Sequence, residues 1–133
     1  MKIFVAVADH HLLIRAAICD AIEKIGFSIL FVADSGDEMI QKIATIGLPA
    51  VCAIDADLPY GDGFATGQQI KKKWPSVKIV IMALFPDNKM TEQFRESGAD
   101  AILSKSAGFV EIRNTFSRLL EGYLDDELFA RYN

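Results

Sequence analysis

A chain of 133 residues, 51% hydrophobic and 24% charged, is sized for one domain around one core and is too apolar to remain disordered. Its net charge of −4 argues against direct binding to a nucleic-acid backbone, which needs clustered Lys and Arg. No apolar run approaches the roughly 18 residues needed to cross a bilayer, and the first residues lack the long apolar stretch and cleavage site of a secretory signal. A soluble cytoplasmic protein with no membrane association is expected.

The first strand-length apolar run, Ile3 to Ala8, ends at Asp9 and is followed by His10 and His11. Leu13, Ala16, Ala17, Ala21, Ile22 and Ile25 then recur at helical intervals, and Gly26 ends the helix. Ser28 to Ala33 is the second strand. Ser35-Gly36-Asp37-Glu38 reads as a capping box that opens a second helix, which stops at Gly47 ahead of Pro49.

The third run, Ala50 to Ile54, ends at Asp55, with Asp57, Pro59, Gly61 and Gly63 close behind. A carboxylate held at the rim of a sheet beside a glycine-rich loop can accept a phosphoryl group, bind a divalent cation or cap a turn. A third helix runs from about Phe64 to Trp74, and Lys71-Lys72-Lys73 reads as its solvated last turn, complementing the helix dipole. Val77 to Leu84 is the fourth strand, and Phe85 after it is read as packing on Pro86. Pro86-Asp87 opens a fourth helix carrying Met90 and Phe94 on one face, and Gly98 closes it.

Ala101 to Ser104 is the fifth strand. The fifth helix has Phe109, Ile112, Phe116, Leu119, Leu120 and Tyr123 on one stripe. Cys19 and Cys52, far apart and each in apolar context, read as buried side chains and not as a disulfide or zinc pair.

Strands alternating with helices imply repeated βαβ units and an α/β parallel sheet covered on both faces. For five units the expected doubly wound, flavodoxin-like (βα)5 order is 2-1-3-4-5, with the ligand crevice at the carboxyl ends of strands 1 and 3. Asp9 and Asp55 end those two strands.

Three segments resemble the receiver domains of bacterial two-component response regulators. Val7-Ala8-Asp9-His10-His11-Leu12 is similar to the family's acidic pair entering helix 1. In Ile54-Asp55-Ala56-Asp57-Leu58-Pro59-Tyr60-Gly61-Asp62-Gly63 the aspartate, proline and glycine have the family's spacing. Gly98-Ala99-Asp100-Ala101-Ile102-Leu103-Ser104-Lys105 carries the lysine that closes strand 5.

The resemblance covers Lys2 to Leu120 and implies a switch and not an enzyme proper. Asp55 would take a phosphoryl group from a sensor histidine kinase or phosphotransfer protein. Mg2+ would be bound by Asp9, Asp55 and the backbone carbonyl of Asp57, and Lys105 would supply positive charge. Histidines directly after the acidic pair are common in members with a helix-turn-helix output and are not acceptors there, so His10 and His11 are set aside.

Three positions depart from the pattern. Ala8 stands where a second carboxylate is expected, Ala83 where strand 4 normally ends in Thr or Ser, and Ile102 where strand 5 normally has Tyr or Phe. The Asp57 side chain either compensates for position 8 or is a solvated turn residue, and the second reading is preferred. Ala8, Ala83 and Ile102 together motivate the alternative of a degenerate receiver that works as a phosphorylation-independent interaction or dimerisation module through helix 4, strand 5 and helix 5. A small magnesium-dependent phosphatase or flavodoxin-like enzyme is the third reading, matched only by Asp57.

The receiver is expected to span residues 1–121. Residues 122–133, with Leu124, Leu128, Phe129 and Tyr132 in apolar spacing, are read as a helical extension, a partner face or the start of a linker to an absent DNA-binding output domain.

Overall fold

The computed structural model describes residues 2–59 and 62–121. The expected extension at 122–133, Tyr123 of the last stripe, and Tyr60 and Gly61 lie outside the described residues.

Five strands alternate with five helices: β1 (Phe4–Ala8), α1 (Leu12–Ile25), β2 (Ser28–Ala33), α2 (Gly36–Thr45), β3 (Val51–Asp55), α3 (Gly63–Lys73), β4 (Lys78–Ala83), α4 (Asn88–Ser97), β5 (Ala101–Ser104) and α5 (Phe109–Leu119). The strands form one parallel sheet in the order β2-β1-β3-β4-β5, the flavodoxin-like order expected from the alternation. Strand side chains point alternately to the two faces, so each strand feeds two cores. Val5 and Val7 of β1 face Ile18 and Ile22 of α1, with Phe116 and Leu120, on one side. Ala6 and Ala8 face Met39 and Ile43 of α2 and Phe64 and Ile70 of α3 on the other. Cys52 lies within the second core, where burial pushes its thiol upward, while Cys19 is half-buried; both are free thiols.

Local sequence sets the helix ends. Ser35 Oγ accepts the Glu38 amide at 3.2 Å, and Glu38 reaches back to the Asp34 amide at 3.2 Å, a capping box displaced by one residue on its return arm. Asp62 and Asp87 cap α3 and α4 by accepting the amides of Ala65 and Met90. Gly26 and Gly98 close α1 and α4 at φ 115° and 77°, left-handed conformations that a β-carbon disfavours.

Two expectations shift. The buried stripe of α1 runs through Ile18, Ile22 and Ile25, while Leu13 is 88% exposed and Ala16 and Ala17 face solvent. Leu12-Leu13-Ile14 is apolar around the whole turn, so periodicity alone misjudged the phase there. Lys71 is not a solvated end of α3: its ammonium lies 2.9 Å from Asp100 and donates to the Val77 carbonyl at 3.0 Å. Asp100 also accepts the Ile79 amide at 2.8 Å, tying the start of β4 to the loop before β5. Among the described residues no helix is long and apolar enough to cross a membrane.

Candidate functional site

At the carboxyl ends of β1, β3 and β5, three polar residues occupy equivalent positions, each at or just past the last rung of a strand. The Asp9 amide donates to the Ala33 carbonyl at 3.0 Å, the Ala56 amide beside Asp55 to Met82 at 2.8 Å, and the Lys105 amide to Ala83 at 2.8 Å. Because β1 pairs with β3 in the register Ala8↔Ile54, Asp9 and Asp55 emerge side by side. Their turns are self-made. Asp9 Oδ1 accepts the His11 amide at 2.8 Å and Asp55 Oδ1 accepts the Asp57 amide at 2.9 Å, two Asx turns that lead the chain out of the sheet.

Lys105 crosses the crevice between them. Its Nζ lies 2.8 Å from Asp9 Oδ2 and 3.1 Å from Asp55 Oδ1, with the lysine and both carboxylates at most 1% exposed. Two buried carboxylates thus share one buried ammonium. Burial alone would push the Asp9 carboxyl up, but the Lys105 ammonium and the His11 amide and ring more than offset it, leaving it below the ordinary carboxylate range.

The histidines set aside from the sequence also enter the site. His10 Nδ1 lies 3.2 Å from Asp55 Oδ2, and His11 Nδ1 lies 3.1 Å from Asp9 Oδ1 and 3.5 Å from Asp55 Oδ2. The two rings lie against each other with centroids 3.9 Å apart. Asp9, His10, His11 and Asp55 each offer a ligand atom, and these atoms all fall within 4.8 Å of one another. The available signal was adjacency: residues directly after Asp9 in a tight strand-to-helix turn share its crevice.

Other predicted positions behave differently. Ala8 is buried in the core cluster that holds Met39, Cys52 and Ile54, and from the loop that follows it His10 Nδ1 reaches to 3.2 Å from Asp55 Oδ2. Asp57 is exposed and its carboxylate is not among the four clustered ligand groups. Phe85 is 83% exposed instead of packed down. Ala83 is fully buried at the end of β4, paired with Ser104. Ile102, half-buried on β5, packs on the cluster that contains Ile81 and Ala83.

The family model for the response regulator receiver domain matches residues 5–117. The chain belongs to this family.

Two curated relatives are the response regulator GacA of Pseudomonas protegens, 27% identical over 81% of this chain, and the DNA-binding transcriptional activator EvgA of Escherichia coli, 26% identical over 88%. The chain covers 51% and 57% of their lengths, about half of each. A receiver domain protein from Methanospirillum hungatei superposes with a TM-score of 0.82 at 17% identity, covering 92% of this chain and 96% of that one. A LuxR-family DNA-binding response regulator from Staphylococcus aureus gives 0.80 at 24%, covering 88% and 98%. At these identities the structural likeness is one of fold.

Receivers are signalling switches that interact with histidine kinases or phosphotransfer proteins, and they generally bind Mg2+ at an acidic pocket. In this receiver Asp9 and Asp55 supply carboxylates suited to such an ion, and Asp55 Oδ2 is a buried oxygen without a hydrogen bond. The other two donors of the cluster are imidazoles. Mg2+ is a hard ion that takes oxygen ligands in octahedral array, so the set as a whole departs from a Mg2+ site.

Proposed function

We propose that this receiver accepts a phosphoryl group on Asp55 from a phosphohistidine of a sensor kinase or phosphotransfer protein, and passes the change to an output domain or partner. The observation that carries the proposal is the buried Asp55 carboxylate, held in place through Oδ1 by Lys105 and the Asp57 amide, with Oδ2 making no hydrogen bond. In the transfer an Asp55 oxygen forms a bond to phosphorus as the phosphorus–nitrogen bond of the donor breaks, and the leaving imidazole keeps that electron pair and takes up a proton. Lys105 offers its ammonium to the charge that builds on the phosphoryl oxygens in this dehydrated crevice. A divalent cation at the carboxylates is part of the proposal, since it would offset the same charge.

The partners follow from the same reading. Relatives of this chain include DNA-binding activators, so transcription regulation through an output domain outside these residues is the proposed endpoint, in the cytoplasm where kinase ATP is available. Phe109 and Val110, 43% and 55% exposed at the start of α5, offer an apolar surface for a partner or a second copy.

A second reading is a receiver whose phosphorylation is poorly read out, working by phosphorylation-independent contacts. Ala83 favours it, because no hydroxyl at the end of β4 can bond a phosphoryl group on Asp55. Intact-mass measurement after incubation with acetyl phosphate and a divalent cation tests the first reading. One added phosphoryl group on the wild type and none on Asp55→Asn is expected. An unmodified wild type, or equal modification of both, removes Asp55 as acceptor.

A further inference from the structure

We infer that Asp9, His10, His11 and Asp55 form a binding site for a borderline first-row divalent ion, Zn2+ or Co2+, in preference to Mg2+. The inference concerns which ion the crevice holds and stands whether or not Asp55 accepts a phosphoryl group.

The two carboxylates are divided between two sides of the crevice. Lys105 takes one oxygen of each, Asp9 Oδ2 and Asp55 Oδ1. The remaining oxygens, Asp9 Oδ1 and Asp55 Oδ2, face the imidazoles, with Nδ1 to oxygen distances of 3.1, 3.2 and 3.5 Å. A tetrahedral ion with bonds of about 2.0–2.2 Å sets its ligand atoms roughly 3.3–3.6 Å apart. These three separations are therefore close to the edges of such a shell, and the four donor atoms all lie within 4.8 Å of one another. His10 and His11, with side chains 36% and 39% exposed, can turn to complete it and leave a path for the ion to enter.

Without an ion the contacts around His11 Nδ1 depend on its protonation. Lys105 Nζ, a donor only, lies 3.3 Å from His11 Nδ1, while the same nitrogen lies 3.1 Å from Asp9 Oδ1, an acceptor when ionised. If Nδ1 carries its lone pair, that lone pair faces two carboxylate oxygens. If Nδ1 carries a proton, it can donate to Asp9 Oδ1, with the Lys105 ammonium also close to that nitrogen. Asp55 Oδ2, buried and aimed at both rings, makes no hydrogen bond. A cation between the imidazoles and these two oxygens would let the lone pairs and carboxylates converge on one positive charge. Imidazole favours Zn2+, Co2+ and their neighbours, whereas Mg2+ gains little from it.

Calorimetric titration of the metal-free protein with Zn2+, Co2+ and Mg2+, with no phosphodonor present, tests this directly. One Zn2+ or Co2+ per chain is expected, together with the visible absorption of a low-coordinate Co2+ complex. Mg2+ at about 1,000-fold excess should not displace either ion. Replacing both imidazoles, His10→Ala with His11→Ala, should weaken Zn2+ by more than about 100-fold, with Mg2+ affinity nearly unchanged and circular dichroism confirming the fold. Equal affinity for Mg2+ and Zn2+, or Zn2+ binding that survives the double substitution, would overturn the inference. Neither result bears on the acetyl phosphate experiment, so the two proposals fail separately.

Discussion

Lys105 is the counter-charge for two carboxylates, and all three groups are at most 1% exposed. Removing it leaves two negative charges side by side away from water, the situation in which breaking a buried pair costs most. Lys105→Met should therefore lower stability by about 3–5 kcal/mol in urea unfolding. Adding Asp9→Asn to that variant should restore part of the loss, because it removes one of the stranded charges. If the single substitution leaves the unfolding midpoint unchanged, the ammonium is not the charge that holds the crevice together. Asp9 and Asp55 were legible from the sequence because each follows a strand-length apolar run. His10 was not, since a polar residue at the start of a helix normally faces solvent, and only the tight turn after Asp9 brings its ring onto Asp55.

At the scale of elements, the β3–α3 connection positions Asp55, and Gly63 decides how closely it passes. A β-carbon on Gly63 would lie 2.1 Å from the Asp55 carbonyl oxygen and 2.8 Å from its carbon, backbone atoms that cannot turn aside. The Gly63 amide meanwhile donates to the Ala56 carbonyl at 2.9 Å, so α3 begins in direct contact with the strand end it follows. Gly63→Ala is expected to cost on the order of 1–3 kcal/mol in thermal unfolding and to reduce modification by acetyl phosphate through displacement of Asp55. A variant with wild-type Tm and wild-type modification would show that the loop accommodates the methyl group. The glycine spacing was visible in sequence, but its reason, contact with the Asp55 carbonyl, belongs to the folded loop. The phase of α1 was also hidden: three consecutive apolar residues at its start fit any face, and the sheet selects Ile18, Ile22 and Ile25.

For the whole molecule, the question is whether an event at Asp55 reaches α4, β5 and α5. A hydrogen bond to a charged group is worth about 1.5–3 kcal/mol, and a conformational equilibrium moves only by such a difference between its two states. Ala83 sits at the end of β4 with no group to make that bond, and Ile102 packs beside the cluster that holds it. On the second reading, in which phosphorylation is poorly read out, adding beryllofluoride with a divalent cation should leave the amide shifts of α4 and β5 almost unchanged in the wild type. Ala83→Thr should enlarge them. Large shifts in the unaltered protein would mean that readout uses another route.

The sequence by itself determined the strand and helix alternation, the strand order and the identity of the two acidic strand ends. The alternation and the acidic strand ends follow from local apolar periodicity, the parallel sheet from the near-obligatory handedness of crossovers, and the order is the common one for five such units. Only the tertiary structure decided which side chains surround Asp55. The pairing of β1 with β3 and the β1–α1 turn bring residues 9, 10, 11, 55 and 105 into one crevice, while Ala8 is buried in the core cluster that holds Met39, Cys52 and Ile54. Chemistry at a sheet edge depends on distances between residues far apart in the chain, which no local pattern encodes. Asp55 could be singled out from the sequence, and the company it keeps could not.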